Sequence, residues 1–401
     1  MDVADMHERL TTWFAAKLPE AGNLEVTGID RLSVGHSNET VGLTLRWTQG
    51  GKPRTREVVL RTRPVGPGLL EPYDLPKQFN VMQSLESSDV PVPKVLWLET
   101  DEDVIGRPFY VMERLHGEVY EPRIPEDVLS TPKERVQRMY TDLVHKIAAV
   151  HNTDWRVLGL GFLGKGKGHL EREVERWEGE MNRLRLADHP ALDRVVDWLR
   201  RNIPAPCPRV TLVHGDCKLG NFMFEGEEVV GVLDWEMATV GDPLTDIGWA
   251  LAMWDPAGAM SADDFLALYE ELTGIEVRNR VWYEVLARLK MTVIMLIGFA
   301  LFENRESDDL RFALMGMAIP GVMQAALAQI GAGEELSMGP LTPDPERVAQ
   351  GISTLIQDIV LPELSSDAAR AQVGAASMLL TLHGASILSI GGGDRTSVGS
   401  A

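Results

Sequence analysis

The stretch LVHGDCKLGNFMFEGEEVVGVLDWE, residues 212–236, limits what this chain can fold into more than any other. A loop carrying His214, Asp216 and Asn221 is followed by two β-rich runs, Phe222 to Phe224 and Val229 to Leu233. The polar EGEE turn between them predicts a hairpin. That hairpin folds Asp234 back beside Asn221, so three polar side chains from 19 residues meet at one point. Phosphoryl transfer from a nucleoside triphosphate needs such a set: a carboxylate beside the attacking hydroxyl and hard-oxygen ligands for Mg²⁺ near the phosphates. A chance gathering of capping and turn residues is the bland alternative. The compound pattern HGDxxxxN, hairpin, LDW argues against it.

The rest of the chain supplies a frame for that loop. Val3 to Leu18 reads as a helix, stopped by Pro19. Three strand-like runs follow, Leu24 to Val34, Thr40 to Trp47 and Thr55 to Arg61, separated by the turn signals GHSN and Gln49-Gly50-Gly51. A helix near Leu75 to Leu85 and two further strands, Lys94 to Glu99 and Phe109 to Glu113, complete a small α+β part. Helices take over beyond Arg114. They run from Pro132 to Val150, Leu170 to Leu186 and Ala191 to Asn202, and from Asp246 to about Ile330. After a Gly/Pro-rich linker come helices over Pro345 to Leu361 and Ser366 to Leu382, then a loose tail. The expected division is residues 1–113 as a nucleotide-binding lobe, 114–331 as a helical lobe with the catalytic loop and acceptor site, and 332–401 as linker, helical extension and tail.

Composition excludes some partners. The 39 Lys+Arg against 59 Asp+Glu leave a net charge of −20. Such a surface repels nucleic acid and anionic lipid, so neither is expected as a partner. The two cysteines, Cys207 and Cys217, read as reduced thiols, and the acidic N-terminus lacks the features of a signal peptide. The longest nearly unbroken apolar run, Met291 to Phe302, has 12 residues. A membrane span takes about 20, so a buried helix and a cytoplasmic location are expected. The two C-terminal helices have apolar faces that must pack on the helical lobe or on a second copy in a homo-oligomer.

HGDCKLGN and VLDWE resemble the catalytic loop and metal-binding strand of the aminoglycoside phosphotransferase family, within the protein-kinase-like fold. The continuation GDPLTDIGW resembles the branch related to kinase domains fused to some acyl-CoA dehydrogenases. The resemblance spans roughly residues 25–330. It implies a bilobal α+β fold with a small, mostly β N-lobe and a larger helical C-lobe. It also implies ATP or GTP as phosphoryl donor, with Mg²⁺. By correspondence Asp216 is the catalytic base, Lys218 meets the γ-phosphate, Asn221 and Asp234 hold the metal, and His214 and Asp246 brace the loop. Gly35, Ser37 and Asn38 cradle phosphates through backbone N–H groups, Arg61 binds phosphate from the end of the third strand, and Met112, Glu113 and Leu115 form the hinge that meets the base.

One position departs from the family pattern. Gln78 stands where a Glu more often pairs with the strand-end cation. It can accept a hydrogen bond from Arg61 without neutralising it, and Glu71 or Asp74 are possible substitutes. His151 and Cys217 read as structural, while Trp249, Trp254, Trp282 and Tyr283 either wall the acceptor site or fill the helical core. The function implied is a small-molecule phosphotransferase acting on a hydroxyl. The alternative is a nucleotide-binding pseudokinase, or partner-binding module, on the same fold. The acceptor stays open among aminoglycosides, amines, sugars and hydroxyacyl thioesters. The carboxylates Asp263, Asp264, Glu270, Glu271, Glu303 and Glu306 either suit a polycation or are solvated helix faces.

Overall fold

The structure, a computed structural model, describes residues 3–31, 38–64, 66–121, 128, 133–164, 166–184, 189–254, 258–333, 336, 341–361, 364, 372–378 and 380. The described residues fall into two compact units. The first draws on Met1–Val65, Leu70–Glu175 and Trp198–Ala287, the second on Gly66–Leu69, Arg176–Asp197 and Arg288–Ala401.

The first unit begins with helix α1 (Val3–Lys17) and strands β1 (Gly22–Arg31), β2 (Glu39–Gln49) and β3 (Lys52–Thr62). The β2–β3 hairpin closes through Gly50 and Gly51, at φ 57° and 74°. Two consecutive positive φ values are what a tight hairpin turn demands, and glycine meets them without strain. Helix α2 (Leu75–Leu85) starts where Asp74 accepts from the Lys77 amide at 2.8 Å, with a proline in its first turn. Strands β4 (Val95–Glu99) and β5 (Phe109–Glu113) complete an antiparallel sheet of order β1-β2-β3-β5-β4. Alternate residues Val41, Leu43 and Leu45 of β2 face inward with Val58, Leu60 and Val111, and pack against Leu10, Trp13 and Phe14 of α1. Period-two alternation thus gives the sheet one buried face.

Strand β6 (Glu118–Val119), helix α3 (Lys133–Asn152), helix α4 (His169–Arg183) and helix α5 (Pro190–Arg201) follow, the last two divided between the units. Four short strands then frame the loop of interest: β7 (Thr211–Val213), β8 (Phe222–Glu225), β9 (Glu228–Val232) and β10 (Thr239–Gly241). Strand β7 pairs with β10, and β8 pairs with both β6 and β9. Helices α6 (Leu244–Ala252), α7 (Ala262–Thr273) and the start of α8 (Arg280–Glu303) close the unit.

The second unit contains the rest of α8, helix α9 (Leu310–Gln329) and helix α10 (Pro345–Leu355), which continues as one π-helical turn, Ile356–Val360. Helix α10 is anchored by Arg347, whose Nε donates to Phe302 O at 3.1 Å and whose Nη2 donates to Ser307 O at 3.0 Å. Its Gly351 lies against Leu310 of α9. The covered residues of this helix are Arg347, Ala349, Gly351 and Ser353, whereas on the apolar face expected after the linker Val348, Ile352 and Ile356 are half-buried and Leu355 and Ile359 exposed. Of the helix expected over 366–382, the described residues 372–378 are helical.

Helices α8 and α9 are each long and apolar enough, by length and composition, to cross a membrane. A scan for unbroken apolar runs stops at Lys290 and Glu303 and misses this. In α8, 78% of the most apolar window is buried inside the protein, the pattern of a core helix; in α9 the figure is 39%.

Candidate active site

The contacts of the loop between β7 and β8 and of its neighbours lie within the first unit. That loop is held by its own backbone. The Lys218 amide donates to Asp216 O at 2.8 Å, and the Asn221 amide donates to Lys218 O at 3.0 Å. Asn221 Nδ2 donates to both Asp216 O and Asp216 Oδ2 at 2.8 Å. The β8–β9 hairpin brings the chain back, and the Leu233 amide donates to Asn221 O at 2.8 Å. Asp234 therefore emerges beside Asn221, as the spacing predicts. It does so at φ 64° and ψ 65°, a left-handed conformation that Asp tolerates better than most residues.

Below the loop, Asp246 of α6 is fully buried. Its Oδ2 accepts from the His214 amide at 2.7 Å and from His151 Nε2 at 3.1 Å, and its Oδ1 accepts from the Gly215 amide at 2.8 Å. His151 Nδ1 meets the Tyr269 hydroxyl at 2.8 Å. An ionised Asp246 fixes the proton on His151 Nε2, which leaves Nδ1 to accept from Tyr269. His214 Nε2 donates to Leu233 O at 2.8 Å while its Nδ1 accepts from the Asp216 amide at 3.2 Å. One imidazole thus ties the loop to the strand that delivers Asp234. Gly215 sits at φ +87°, and a Cβ there would lie 2.5 Å from Met237 O. A Gly215→Ala variant is expected to lose about 2–4 kcal/mol from strain and overpacking together, read as a lowered denaturation midpoint.

Arg61, on β3, reaches Asp234: its Nη2 donates to Oδ1 at 2.7 Å. Burial works against the Arg61 charge, but Asp234, Tyr110 and Glu236 more than offset it and hold its pKa above the ordinary value. Burial likewise opposes ionisation of Asp234, and Arg61 reverses that, so its carboxyl is held below the ordinary range. Lys218 Nζ donates to Glu121 Oε1 at 2.7 Å and stands 4.0 Å from Asp216 Oδ2. Burial opposes its charge too, yet Asp216 and Glu121 leave its pKa raised.

The expectation for Gln78 needs correcting. Gln78 makes no hydrogen bond to Arg61; its Oε1 accepts from Tyr110 OH at 3.3 Å, and Tyr110 is the neighbour of Arg61 across the β3–β5 pair. Asp74 caps α2, and the carboxylate on Arg61 is Asp234 itself. Gly35 and Ser37 lie outside the described residues. Asn38 is buried, with Nδ2 donating to Glu236 Oε2 at 2.9 Å. In the expected hinge, Met112 is buried in β5, and the Glu113 and Arg114 amides donate to Lys94 O and Glu57 O. Leu115 packs over Gly231 of β9.

Four residues at this site escaped the sequence reading: Lys77, Tyr110, Glu121 and Glu236. Lys77 Nζ donates to Glu236 O at 3.0 Å. Only Glu236 had a local signal, as the second residue after Asp234. Three of the six carboxylates weighed for a polycation have local uses. Asp264 forms a capping box with Ser261, Glu270 Oε1 accepts from the Val277 amide, and Glu303 accepts from the Asp344 amide.

Three polar atoms at the site are buried without a hydrogen-bond partner: Asp216 Oδ1, Arg61 Nε and Asn38 Oδ1. The donor set fits a divalent cation of the magnesium type. Asn221 has turned its amide nitrogen to Asp216, which leaves its Oδ1 for a metal, and Asp234 adds a carboxylate. Among the described residues no group of three or more His, Cys, Asp or Glu could hold a metal alone. Two protein oxygens completed by phosphate oxygens is the usual arrangement for Mg²⁺.

Comparisons with known proteins bear on the family and the fold. A family model described as "Phosphotransferase enzyme family" matches residues 29–281. Acyl-CoA dehydrogenase family member 10 of Mus musculus is 35% identical over 206 residues, which are 50% of this chain and 19% of the relative. The chain thus matches about a fifth of that relative's length. A solved structure from Ralstonia eutropha, described as a "putative aminoglycoside phosphotransferase", is 25% identical with a TM-score of 0.65 and covers 81% of this chain and 98% of its own. An aminoglycoside phosphotransferase solved with ADP and hygromycin B is 17% identical at a TM-score of 0.50, covering 81% of this chain and 99% of its own, and shares the fold.

Proposed function

The chain belongs to the phosphotransferase enzyme family, and from that premise we propose that it moves the γ-phosphoryl group of ATP or GTP to a hydroxyl of a small molecule. The observation that carries this reading is the buried, unpartnered Asp216 Oδ1 beside Asn221 and Asp234. Asn221 holds the other carboxylate oxygen of Asp216, so Oδ1 is the atom that takes the proton of the acceptor hydroxyl. The freed alkoxide oxygen bonds to the γ-phosphorus as the bond to the β-phosphate oxygen breaks, and the nucleoside diphosphate leaves. Arg61 and Lys218 bring positive charge to phosphates arriving at Asp234 and Asp216, where preorganised donors act most strongly. Asn221 Oδ1 and Asp234 would hold Mg²⁺, which would supply neutralisation of phosphate charge.

The choice of acceptor is guided by the mouse relative, which carries a region like this one inside a protein named for acyl-CoA chemistry. A hydroxyacyl thioester is accordingly the first acceptor to try, before aminoglycosides, amines and sugars. Release of ADP from MgATP is the readout across the four classes. Saturating MgATP at about 100 times its Kd should stabilise the protein by about 2.7 kcal/mol, and Asp234→Asn should lose the metal-dependent part of that shift. A protein that gains no thermal stability with MgATP or MgGTP, and releases ADP to none of the acceptors, is not a kinase of this kind.

A further inference from the structure

Two cations have a claim on one carboxylate. Among the described residues Asp234 supplies the only carboxylate oxygen paired with Arg61, and the same residue is the carboxylate of the two-oxygen metal site. Other counter-charges near Arg61 are committed or missing. Helix α2 presents the neutral Gln78, which is 1% exposed and turned to Tyr110, with its Nε2 left without a partner. Glu236 accepts from Asn38 through its side chain. The Arg61 side chain is 11% exposed and its Nε has no partner, so water replaces Asp234 poorly as a counter-charge. Polyphosphate can replace it, because a guanidinium binds phosphate oxygens as readily as a carboxylate.

We propose that Arg61 is a resident occupant of the metal carboxylate, which it gives up only to nucleotide phosphates, so that the divalent cation enters the site together with the nucleotide and not before it. Gln78 is the positioning residue of this arrangement: a neutral side chain on α2 offers Arg61 no carboxylate to compete with Asp234 from that helix. The inference rests on the proposed phosphotransferase reading and adds an order of assembly to it. The coupling is reciprocal, as any linkage between two ligands must be. Nucleotide clears Asp234 for the metal, and metal on Asp234 keeps Arg61 on the phosphates.

The test measures free Mn²⁺ binding by electron paramagnetic resonance and metal-free ADP binding, in EDTA, by calorimetry. In Arg61→Met, Mn²⁺ alone should bind about tenfold tighter or more than in the parent, a coupling of ordinary size, while metal-free ADP binds more weakly. The double variant Arg61→Met, Asp234→Asn should lose the gain. Arg61→Met removes a buried partner and can unfold the protein, so Gln78→Glu is the second arm. A carboxylate on α2 shares Arg61 and should raise affinity for Mn²⁺ alone while MgATP binding persists. Equal Mn²⁺ affinity in the parent and in the folded variants overturns the inference and leaves the phosphotransferase reading intact. A parent that binds no MnATP overturns both.

Discussion

Replacing Asp216 with alanine lowers phosphoryl transfer by about 10²–10⁴-fold, the contribution of a positioned general base, with little change in nucleotide binding. The separation follows from how the residue is held. Asn221 Nδ2 bonds both the backbone oxygen and the side chain of Asp216 at 2.8 Å, so the loop keeps the backbone bond when the carboxylate goes. Arg61, Lys218 and Asp234 keep their places around the phosphates. Asp216→Asn sharpens the comparison, since it preserves shape while removing the negative charge and with it the capacity to take a proton. Initial rates of ADP release at saturating acceptor decide the matter. An Asp216→Asn protein working at the parental rate would remove Asp216 from the chemistry.

Asp246→Ala is expected to have the largest effect on stability. Its carboxylate is wholly buried and accepts from His214, Gly215 and His151. Truncation leaves three buried donors without an acceptor, at about 1–3 kcal/mol each, out of a total stability on the order of 5–15 kcal/mol. Acid should reach the same group. Burial alone raises the Asp246 pKa, but His151, His214 and the Gly215 amide outweigh it and bring it from 3.8 to about 2. A depressed carboxyl contributes stability that is fully present above the unfolded pKa of about 4 and is lost as pH falls toward about 2. The loss amounts to roughly 2 kcal/mol. Denaturation midpoints at about pH 5 and about pH 3 should diverge more in the parent than in Asp246→Asn. Parallel loss in both proteins would show that other carboxylates carry the acid response.

What the sequence made legible was local. Asp216, Asn221 and Asp234 are joined by one loop and one hairpin, so turn chemistry and strand period suffice to bring them together. Strands β2 and β3 were equally plain, from β-rich runs on either side of a Gly-Gly turn, and helix α2 was expected near Leu75 to Leu85. The partner of Arg61 was not, because β3 and Asp234 meet across 173 positions. Glu236 and Asn38 are 198 positions apart, and Lys218 and Glu121 are 97 apart. Such pairings depend on how sheet and loop pack, which no periodicity encodes. Gln78 illustrates the limit: its place on α2 was readable, and its turn toward Tyr110 depended on a strand neighbour that only the fold supplies.

The second unit is stitched from three separated stretches, Gly66–Leu69, Arg176–Asp197 and everything from Arg288 onward. During synthesis from the N-terminus, its first two pieces emerge long before the third. Trp177, Met181, Leu192 and Val195, all buried in the finished protein, must wait without their late partners. A chain ended before Arg288 would therefore not be a trimmed version of the protein, but one with a greasy wound that chaperones and proteases should recognise at once.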